Sequence, residues 1–282
     1  MALDLEKIKN RLNQYENPKE GGGGGNDKLW RLDPGDGEAS AIIKLVPYKY
    51  APEDPFLEMW FHYGLAGKNF LCPKKMDNVE CDVCNFGWKT LDKYRETKKE
   101  EYKKQLGILL PKCRVYVPMV QMDELDKGVR LWGFSPTIHE ILLKMAFEFG
   151  TAQVDITDPK NSPEFKVTVQ SPQKHGGLFN KTEIVKVEEQ LQTKLSKLAG
   201  TQKEINAILD TCPDISEIYS LKSMDELTKA LHEHVGGSEG NESNSDDSSL
   251  GTAKLDNSNE ESKEESLEDI GSKFEKMLGD EE

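Results

Sequence analysis

Short apolar runs separated by turn residues dominate the first half of the chain, which is the pattern of β-strands. Four such runs occur, at residues 41–46, 56–63, 114–120 and 129–134. The first stops at Pro47, and the turn residues at 123–128 join the last two runs into a predicted hairpin. Residues 165–169 alternate apolar and polar positions and predict a further strand.

Helix signals interrupt and follow these strands. The Ser-Pro pair at 135–136 is an N-cap with a proline at the first helical position, and it predicts a helix through Met145. Thr201 and Ser223 each open a capping box that predicts a later helix. Residues 86–104 read as a basic, aromatic helix or loop. Short strands with inserted helices predict a mainly β fold with α, an OB-fold-like five-stranded barrel with flanking helices.

The chain divides into an arm, a core and a tail. In residues 1–26, four apolar residues at helical spacing precede a run of five glycines: Leu5, Ile8, Leu12 and Tyr15. This pattern predicts a helical arm on a flexible linker. Residues 27–235 form the predicted core, with a zinc-binding subdomain inserted at about 62–90. Residues 236–282 form the predicted tail.

The tail carries most of the net charge. Residues 236–282 hold 15 acidic and 4 basic side chains, so −11 of the net charge of −14 lies there. Few apolar residues occur up to about residue 266, and such a segment is predicted to be disordered. Its end differs, because Ile270, Phe274, Met277 and Leu278 recur at helical spacing among acidic residues. We expect a docking segment for partner proteins; the alternative is a merely solubilising tail.

Four soft metal donors lie within 23 residues of the sequence: His62, Cys72, Cys81 and Cys84. Their spacing is typical of a closed tetrahedral Cys3His zinc site. The surrounding segment is rich in glycine, proline and charge, so metal binding would supply its folding free energy. Four protein donors leave no position for a catalytic water, which predicts one structural Zn²⁺.

Other roles for the cysteines remain open at this point. They could be free thiols in a reducing cytosol. A disulfide framework is less favoured, because the chain has only five cysteines and no apolar secretion signal at its N-terminus. Cys113 and Cys212 lie far from the others and are interpreted as ordinary buried or half-buried thiols.

Cations and aromatic rings are interleaved between Phe86 and Arg114. This stretch holds nine Lys or Arg against four Asp or Glu, with Trp88, Tyr94 and Tyr102 among them. Binding of single-stranded DNA uses this combination, because cations follow the phosphates and rings stack on unpaired bases. The alternative is a solvated basic helix with its rings in the core, and for any single tyrosine it stays open.

The order of these features resembles the single-stranded DNA-binding (helix-destabilising) protein family of T-even-type tailed phages. The resemblance runs from end to end and is densest over residues 30–149. There the phrases Leu32-Asp33, Ala41-Ile42-Ile43-Lys44-Leu45-Val46-Pro47 and Cys81-x2-Cys84 stand in family order. It implies that the knuckle binds zinc, the barrel cleft binds DNA, the arm joins neighbouring copies head to tail, and the tail recruits replication and recombination proteins.

The resemblance also implies roles for particular residues. The four soft donors match the zinc ligands. Lys44, Tyr94, Tyr102 and Trp132 match cleft residues, and Lys112, Arg114, Tyr116 and Phe179 are looser matches. With the neighbouring bases of the stretch and the hairpin, the expected DNA-binding set is Lys44, Lys89, Lys93, Tyr94, Tyr102, Lys112, Arg114, Tyr116, Arg130, Trp132 and Phe179.

We therefore expect a non-enzymatic protein that binds single-stranded DNA cooperatively and without sequence specificity, during phage replication, recombination and repair. Its expected location is the cytoplasm of the infected bacterial host, and no stretch approaches 18 consecutive apolar residues, so no membrane span is expected. Two alternatives remain. One is a zinc-stabilised adaptor that meets only proteins, and the other is a metal-dependent nuclease, although no paired-carboxylate motif or Walker loop supports the latter.

Overall fold

The computed structural model describes residues 26–187 and 201–236. The predicted N-terminal arm, the acidic tail beyond Gly236 and the docking residues Ile270, Phe274, Met277 and Leu278 lie outside the described residues.

Within the described residues, eight strands form one mixed sheet. Strands β1 and β6 pair in parallel, and the other pairs are antiparallel. The strands are β1 (Leu29–Trp30), β2 (Glu38–Leu45), β3 (Leu57–Leu65), β4 (Lys68–Leu71), β5 (Lys112–Gln121), β6 (Arg130–Phe134), β7 (Phe165–Gln170) and β8 (Lys181–Lys186).

Seven α-helices accompany the sheet in the same described ranges. They are α1 (Pro73–Met76), α2 (Asp82–Thr97), α3 (Glu100–Leu109), α4 (Pro136–Thr151), α5 (Pro172–His175), α6 (Gln202–Leu209) and α7 (Met224–Gly236). Short 3-10 turns occur at Leu125–Lys127 and Ile215–Glu217. In residues 26–187 and 201–236, no helix combines the length and apolarity needed to cross a bilayer.

The long strand β5 is the centre of the sheet. One of its edges pairs with β6, and the other pairs first with β3 and then with β2. The predicted hairpin is confirmed, because β5 and β6 pair antiparallel around the turn near Leu125. Since side chains alternate along a strand, β5 sends Lys112, Arg114 and Tyr116 to one face and Val115 and Val117 to the other.

The main core lies on the second of these faces. Val115, Val117 and Phe165 there pack with Ile138 and Leu142 of helix α4. Helix α4 begins at the predicted Ser-Pro pair but runs six residues beyond Met145, to Thr151. The capping boxes at Thr201 and Ser223 also form as predicted.

The fold is mixed α/β, with more helix than the mainly β prediction gave it. The basic stretch 86–104, whose form was left open, lies in helices α2 and α3. Strands β1, β4 and β8 were not predicted. The first two have two and four residues, and β8 buries one side chain, that of Ile184, so none carries an alternating apolar pattern long enough to detect.

Candidate metal centre and nucleic-acid interface

The structure brings the four predicted metal donors together in the interior. The ligand atoms of His62, Cys72, Cys81 and Cys84 all lie within 4.8 Å of one another, and all four residues are buried. The Sγ atoms of Cys72 and Cys84 are 3.4 Å apart, and His62 Nε2 lies 3.5 Å from Cys81 Sγ. A tetrahedral zinc site with Zn–S bonds of about 2.3 Å has edges of roughly 3.5–3.8 Å. These four residues could therefore hold a metal ion.

Each donor is placed by a local element. His62 lies on β3, and Cys72 follows the partner strand β4 at the point where α1 begins. The Cys72 backbone N–H donates to the Trp60 carbonyl at 2.8 Å, which holds the end of β4 against β3. Cys81 caps the start of α2, and Cys84 lies in its first turn. A hairpin and a helix N-terminus thus converge on one point.

A backbone carbonyl orients the histidine. His62 Nδ1 lies 2.9 Å from the Leu109 carbonyl oxygen, while Nε2 faces the cysteine sulfurs. Because a carbonyl only accepts hydrogen bonds, Nδ1 carries a proton, and Nε2 is the ring nitrogen that could bind a metal ion. This support of the far ring nitrogen is the arrangement that metal-binding histidines ordinarily have.

The charges of the cluster conflict unless a cation joins it. Burial lowers the pKa of His62, and hydrogen bonds with Cys72 and Cys81 raise it, to about 9. Hydrogen bonds with Cys81 and Cys84 lower the pKa of the Cys72 thiol, whereas those with Cys72 and Cys81 raise the pKa of Cys84. Neighbouring buried thiols cannot all ionise alone, but a divalent cation would stabilise three thiolates together.

A small core surrounds the four donors. Val83 and Phe86 of α2 and Leu227 and Leu231 of α7 belong to the same buried cluster as the cysteines. Two polar contacts fix α7 in place: Thr228 Oγ1 donates to Asp82 Oδ2 at 2.8 Å, and His234 Nε2 lies 2.7 Å from Gln105 Oε1. The last described helix therefore packs on the metal-donor region.

Five of the predicted DNA-binding residues are buried, so little of each side chain reaches the surface: Lys44, Tyr102, Tyr116, Arg130 and Trp132. The ring of Trp132 packs edge-on against Trp30 in the main core, with centroids 5.7 Å apart. Arg130 Nη2 donates to Glu124 Oε2 at 2.9 Å. The Lys44 side chain is completely buried. The negative charges of Glu164 and Asp158 stabilise its positive charge. The sequence pattern located these residues on their elements but did not show which face they take.

The remaining predicted residues reach the surface to different degrees. Lys89, Lys112, Arg114 and Phe179 are exposed, and Lys93 and Tyr94 are half-buried. The Lys98 ammonium lies 5.6 Å from the centre of the Tyr94 ring. Helix α2 packs closely at Gly87 against Leu109 and Leu110, just before β5 begins. Helix α2, which carries Lys89 and Lys93, therefore lies near the end of β5 that carries Lys112 and Arg114.

The face of β5 that carries Lys112 and Arg114 also carries a cluster of rings, of which the sequence analysis had predicted only Tyr116. We call it the aromatic face, and its members are Phe61, Tyr63, Tyr116 and Tyr219. Phe61 lies 5.4 Å from Tyr63 and 5.0 Å from Tyr219, and Tyr116 lies 5.4 Å from Tyr219, as ring centroids. The Tyr116 and Tyr219 hydroxyls are 2.8 Å apart. Phe61 and Tyr116 are buried, and Tyr63 and Tyr219 are half-exposed above them.

A glycine on β6 makes room for the Tyr116 ring and the Arg114 guanidinium. A Cβ at Gly133 would stand 2.6 Å from the Tyr116 ring and 2.9 Å from Arg114 Nε. Arg114 Nη2 also donates to the Gly133 carbonyl at 2.9 Å. Gly133 thus allows the ring and the guanidinium to cross β6 side by side.

The segment that carries Tyr219 is held in place by residues that lie far away in the sequence. The Ile215 backbone N–H donates to the Tyr48 hydroxyl at 3.1 Å, and Lys28 Nζ lies 2.8 Å from Glu217 Oε2. Burial raises the pKa of Tyr48 to about 12, so this hydroxyl stays protonated. No local sequence pattern joins Tyr63 to Tyr219, whereas the alternation of Met59, Phe61 and Tyr63 along β3 could have placed Tyr63 beside the cations.

Comparison with known proteins adds no relative: no protein-family model matches the chain, and no curated protein matches it.

Proposed function

We propose that this protein binds single-stranded DNA without base specificity, as the phage family that it resembles does. The observation that carries the proposal is the aromatic face beside Lys112 and Arg114. Flat rings that are open on one side can stack on unpaired bases, and adjacent cations can meet the phosphates between them. Duplex DNA keeps its bases paired and stacked, so such a surface favours single strands.

The pairing of β5 supports an OB-fold-like barrel as part of this proposal. In a small barrel, a long bent strand can pair with two different strands along the same edge. Strand β5 does this, because it pairs first with β3 and then with β2. OB folds bind single-stranded nucleic acids on an open face of the barrel. The aromatic face would fill that role here.

We propose that the metal ion is a single Zn²⁺ with a structural role. Three thiolates and an imidazole that lie close enough for tetrahedral coordination suit zinc, and these four protein donors would fill its coordination shell. The bound ion would supply folding free energy to the region of β3, β4 and α2. Since no position would stay open for water at this centre, we do not propose a catalytic role for it.

We include in this proposal the roles that the resembled family implies for the two ends of the chain. The N-terminal arm would join neighbouring copies along one strand, and the acidic tail would recruit replication and recombination proteins in the cytoplasm of the infected host. The adaptor alternative has one observation in its favour, the exposed apolar residues Leu143 and Phe147 on α4. A surface of this kind serves protein contacts, and it is compatible with DNA binding elsewhere on the molecule.

Titration of the intrinsic tryptophan fluorescence with oligo-dT at several salt concentrations tests the proposal. We expect saturable binding that weakens as the salt concentration rises. Binding to single-stranded DNA should be stronger than binding to duplex DNA of the same length. Incubation of the metal-loaded protein with end-labelled DNA should leave the strand intact. Absence of salt-dependent binding would favour the adaptor, and cleavage of the strand would favour the nuclease.

A further inference from the structure

Helix α4 exposes an apolar stripe that nothing in the described structure covers. The α4 stripe consists of Leu143, Ala146, Phe147 and Gly150, which recur at helical spacing on one side. Phe147 is 75% exposed and Leu143 is 46% exposed, whereas Ile138 and Leu142 on the inner side are buried in the main core. Two large apolar side chains on one stripe mark an interaction surface more often than a chance exposure does.

A cavity of about 210 Å³ opens beside the C-terminal half of the stripe. Ala146 and Gly150 line it on the helix side, and Pro52, Pro55 and Phe56 line it from the loop between β2 and β3. We call the stripe and this cavity together the α4 groove. It follows α4 for about 10 Å, or two helical turns, and it ends in a hole that can take an apolar side chain.

Carboxylates stand at both ends of the α4 groove. Glu53 and Asp155 line the cavity at its C-terminal end. At the other end, Glu58 Oε1 lies 3.9 Å from His139 Nδ1, and His139 precedes Leu143 by one turn of α4. The Glu58 side chain is half-exposed, so its charge is open to a partner that lies in the groove.

Positive charge is scarce around the α4 groove. None of the described residues that line the stripe and the cavity is a lysine or an arginine. Helix α4 itself carries one lysine, Lys144, whose Nζ lies 2.6 Å from Glu140 Oε1. Lys186 contacts Phe149, which packs toward the core. The C-terminal end of α4 adds the partial negative charge of its carbonyl groups, so the groove attracts cations.

The parts of this chain outside the described residues do not supply the complementary charge. Residues 3–16 hold three basic and three acidic side chains, and residues 188–200 hold two of each. Residues 267–282 hold six acidic and two basic side chains, so the groove would repel them. A segment with an excess of positive charge must therefore come from another protein.

We propose that the α4 groove binds a lysine- or arginine-rich amphipathic helix of a partner protein. One apolar side chain of that helix fills the cavity, others pack on Leu143 and Phe147, and its cations meet Glu53 and Glu58. Helix α4 packs on the face of β5 opposite to the one that carries Lys112. The partner can therefore bind whether or not DNA occupies the aromatic face.

Fluorescence anisotropy with designed peptides tests the proposal on the full chain, without DNA. The probe is a labelled peptide of leucine and lysine, about four helical turns long, with its leucines on one side. A second peptide has the same composition with its leucines spread around the helix, and it measures attraction of lysines to the acidic tail. At about 0.15 M salt we expect the one-sided peptide to bind saturably and more tightly than the second. Equal binding of the two peptides would overturn the proposal.

Substitutions on the stripe assign the binding to the α4 groove. Leu143→Ser and Phe147→Ser should each weaken binding of the one-sided peptide about tenfold, because each removes the burial of a large apolar side chain. Val185→Ser is the matched control, since Val185 is 53% exposed on β8 and points away from its core neighbour Ile184. Unchanged affinity in both α4 variants would place the peptide elsewhere and refute the groove as its site.

A reversal of charge tests the chemistry of the partner. The double substitution of Glu53→Lys and Glu58→Lys should weaken binding of the lysine peptide and strengthen binding of a peptide in which glutamate replaces every lysine. Local damage to the fold could cause the loss but not the gain. A loss without a gain would therefore reject the carboxylates as the groups that select a basic partner.

Photo-crosslinking identifies the occupant of the groove. Benzoylphenylalanine replaces Phe147 in the full chain, and irradiation with the one-sided peptide should join position 147 to that peptide. Crosslinks from position 147 to residues 3–16, 188–200 or 267–282, or to a second copy, would show that this chain covers its own groove and would overturn the proposal.

The proposed function and the α4 groove can fail separately. Failure of the original protein to bind oligo-dT would refute the proposed function, and the peptide titrations would still decide the groove. Normal oligo-dT binding with no preference for the one-sided peptide would refute the groove alone.

Discussion

At the scale of single residues, Lys112 and Arg114 leave the same face of β5 and are both exposed, so they can reach phosphates side by side. Each phosphate that a cation neutralises on a single strand contributes about 0.7 to the slope of log K against log salt. Lys112→Ala and Arg114→Ala should therefore each lower the slope by roughly that amount. Oligo-dT titrations from low to moderate salt measure it. Lys160→Ala, an exposed lysine in another loop, should keep the original slope; an unchanged slope in both test variants would exclude them from the interface.

Tyr219 should act through its ring and not through charge. It lies half-exposed over Phe61 and Tyr116, with its ring edge-on to Phe61 and tilted to Tyr116, and a base could pack against its exposed side. Tyr219→Leu should weaken oligo-dT binding by about 1–3 kcal/mol with no change in salt slope, because stacking releases no counterions. Tyr219→Phe keeps the ring and should bind nearly as the original protein does. Equal losses in the two variants would assign the effect to the hydroxyl contact with Tyr116 and not to stacking.

Lys44 should matter for stability and not for binding. Its side chain is completely buried; burial lowers its pKa, and the carboxylates of Glu164 and Asp158 oppose that shift. Lys44→Met leaves Glu164 without its compensating charge, which should cost on the order of 2 kcal/mol in the free energy of unfolding. Denaturant unfolding measures the loss, and adding Glu164→Gln should recover part of it. A reduced salt slope of DNA binding in Lys44→Met would instead return this lysine to the interface.

At the scale of elements, the four candidate metal donors join the β3–β4 hairpin to α2, and α7 packs on the same buried cluster. Removing the metal, or the substitution Cys84→Ser, should therefore loosen α7 as well as α2. Hydrogen exchange should rise in residues 82–97 and 224–236 but stay low in β5 and β7, whose core is separate. Cys113→Ser is the control, because Cys113 lies outside the donor cluster. Unchanged exchange in α7 after chelation would show that α7 folds independently of the metal.

The same elements show how far sequence reasoning reaches. The candidate donors His62, Cys72, Cys81 and Cys84 were predictable because such residues lie close together in the sequence at a characteristic spacing. The β5–β6 hairpin and α4 carry strong local signals too. The aromatic face was not predictable, since Tyr219 meets Phe61 and Tyr116 only through the tertiary fold. Tyr102 and Trp132 were assigned to DNA because a basic, aromatic pattern does not reveal which rings turn inward.

At the scale of the whole molecule, charge is separated along the chain. Residues 1–235 carry a net charge of −3 and residues 236–282 carry −11. The tail follows directly on α7, which packs against the metal-donor region and α2. A long acidic segment thus starts close to α2 and α3, the helices that contain most of the basic stretch 86–104. Opposite charges at such proximity attract, and they attract most at low ionic strength.

Truncation after Gly236 should therefore tighten oligo-dT binding at low salt and leave it nearly unchanged at high salt, where screening already weakens the attraction of the tail. The shortened protein should also lower the melting temperature of duplex DNA further, because tighter binding to single strands shifts the melting equilibrium toward the separated strands. Titrations of the full and truncated chains across salt concentrations measure the difference. Phe274→Ser is the matched control: it keeps the charge and changes one apolar residue of the proposed docking segment, so it should leave DNA affinity unchanged while weakening capture of replication proteins. If truncation leaves low-salt affinity unchanged, the tail does not compete for the DNA surface, and only its proposed role in partner docking remains.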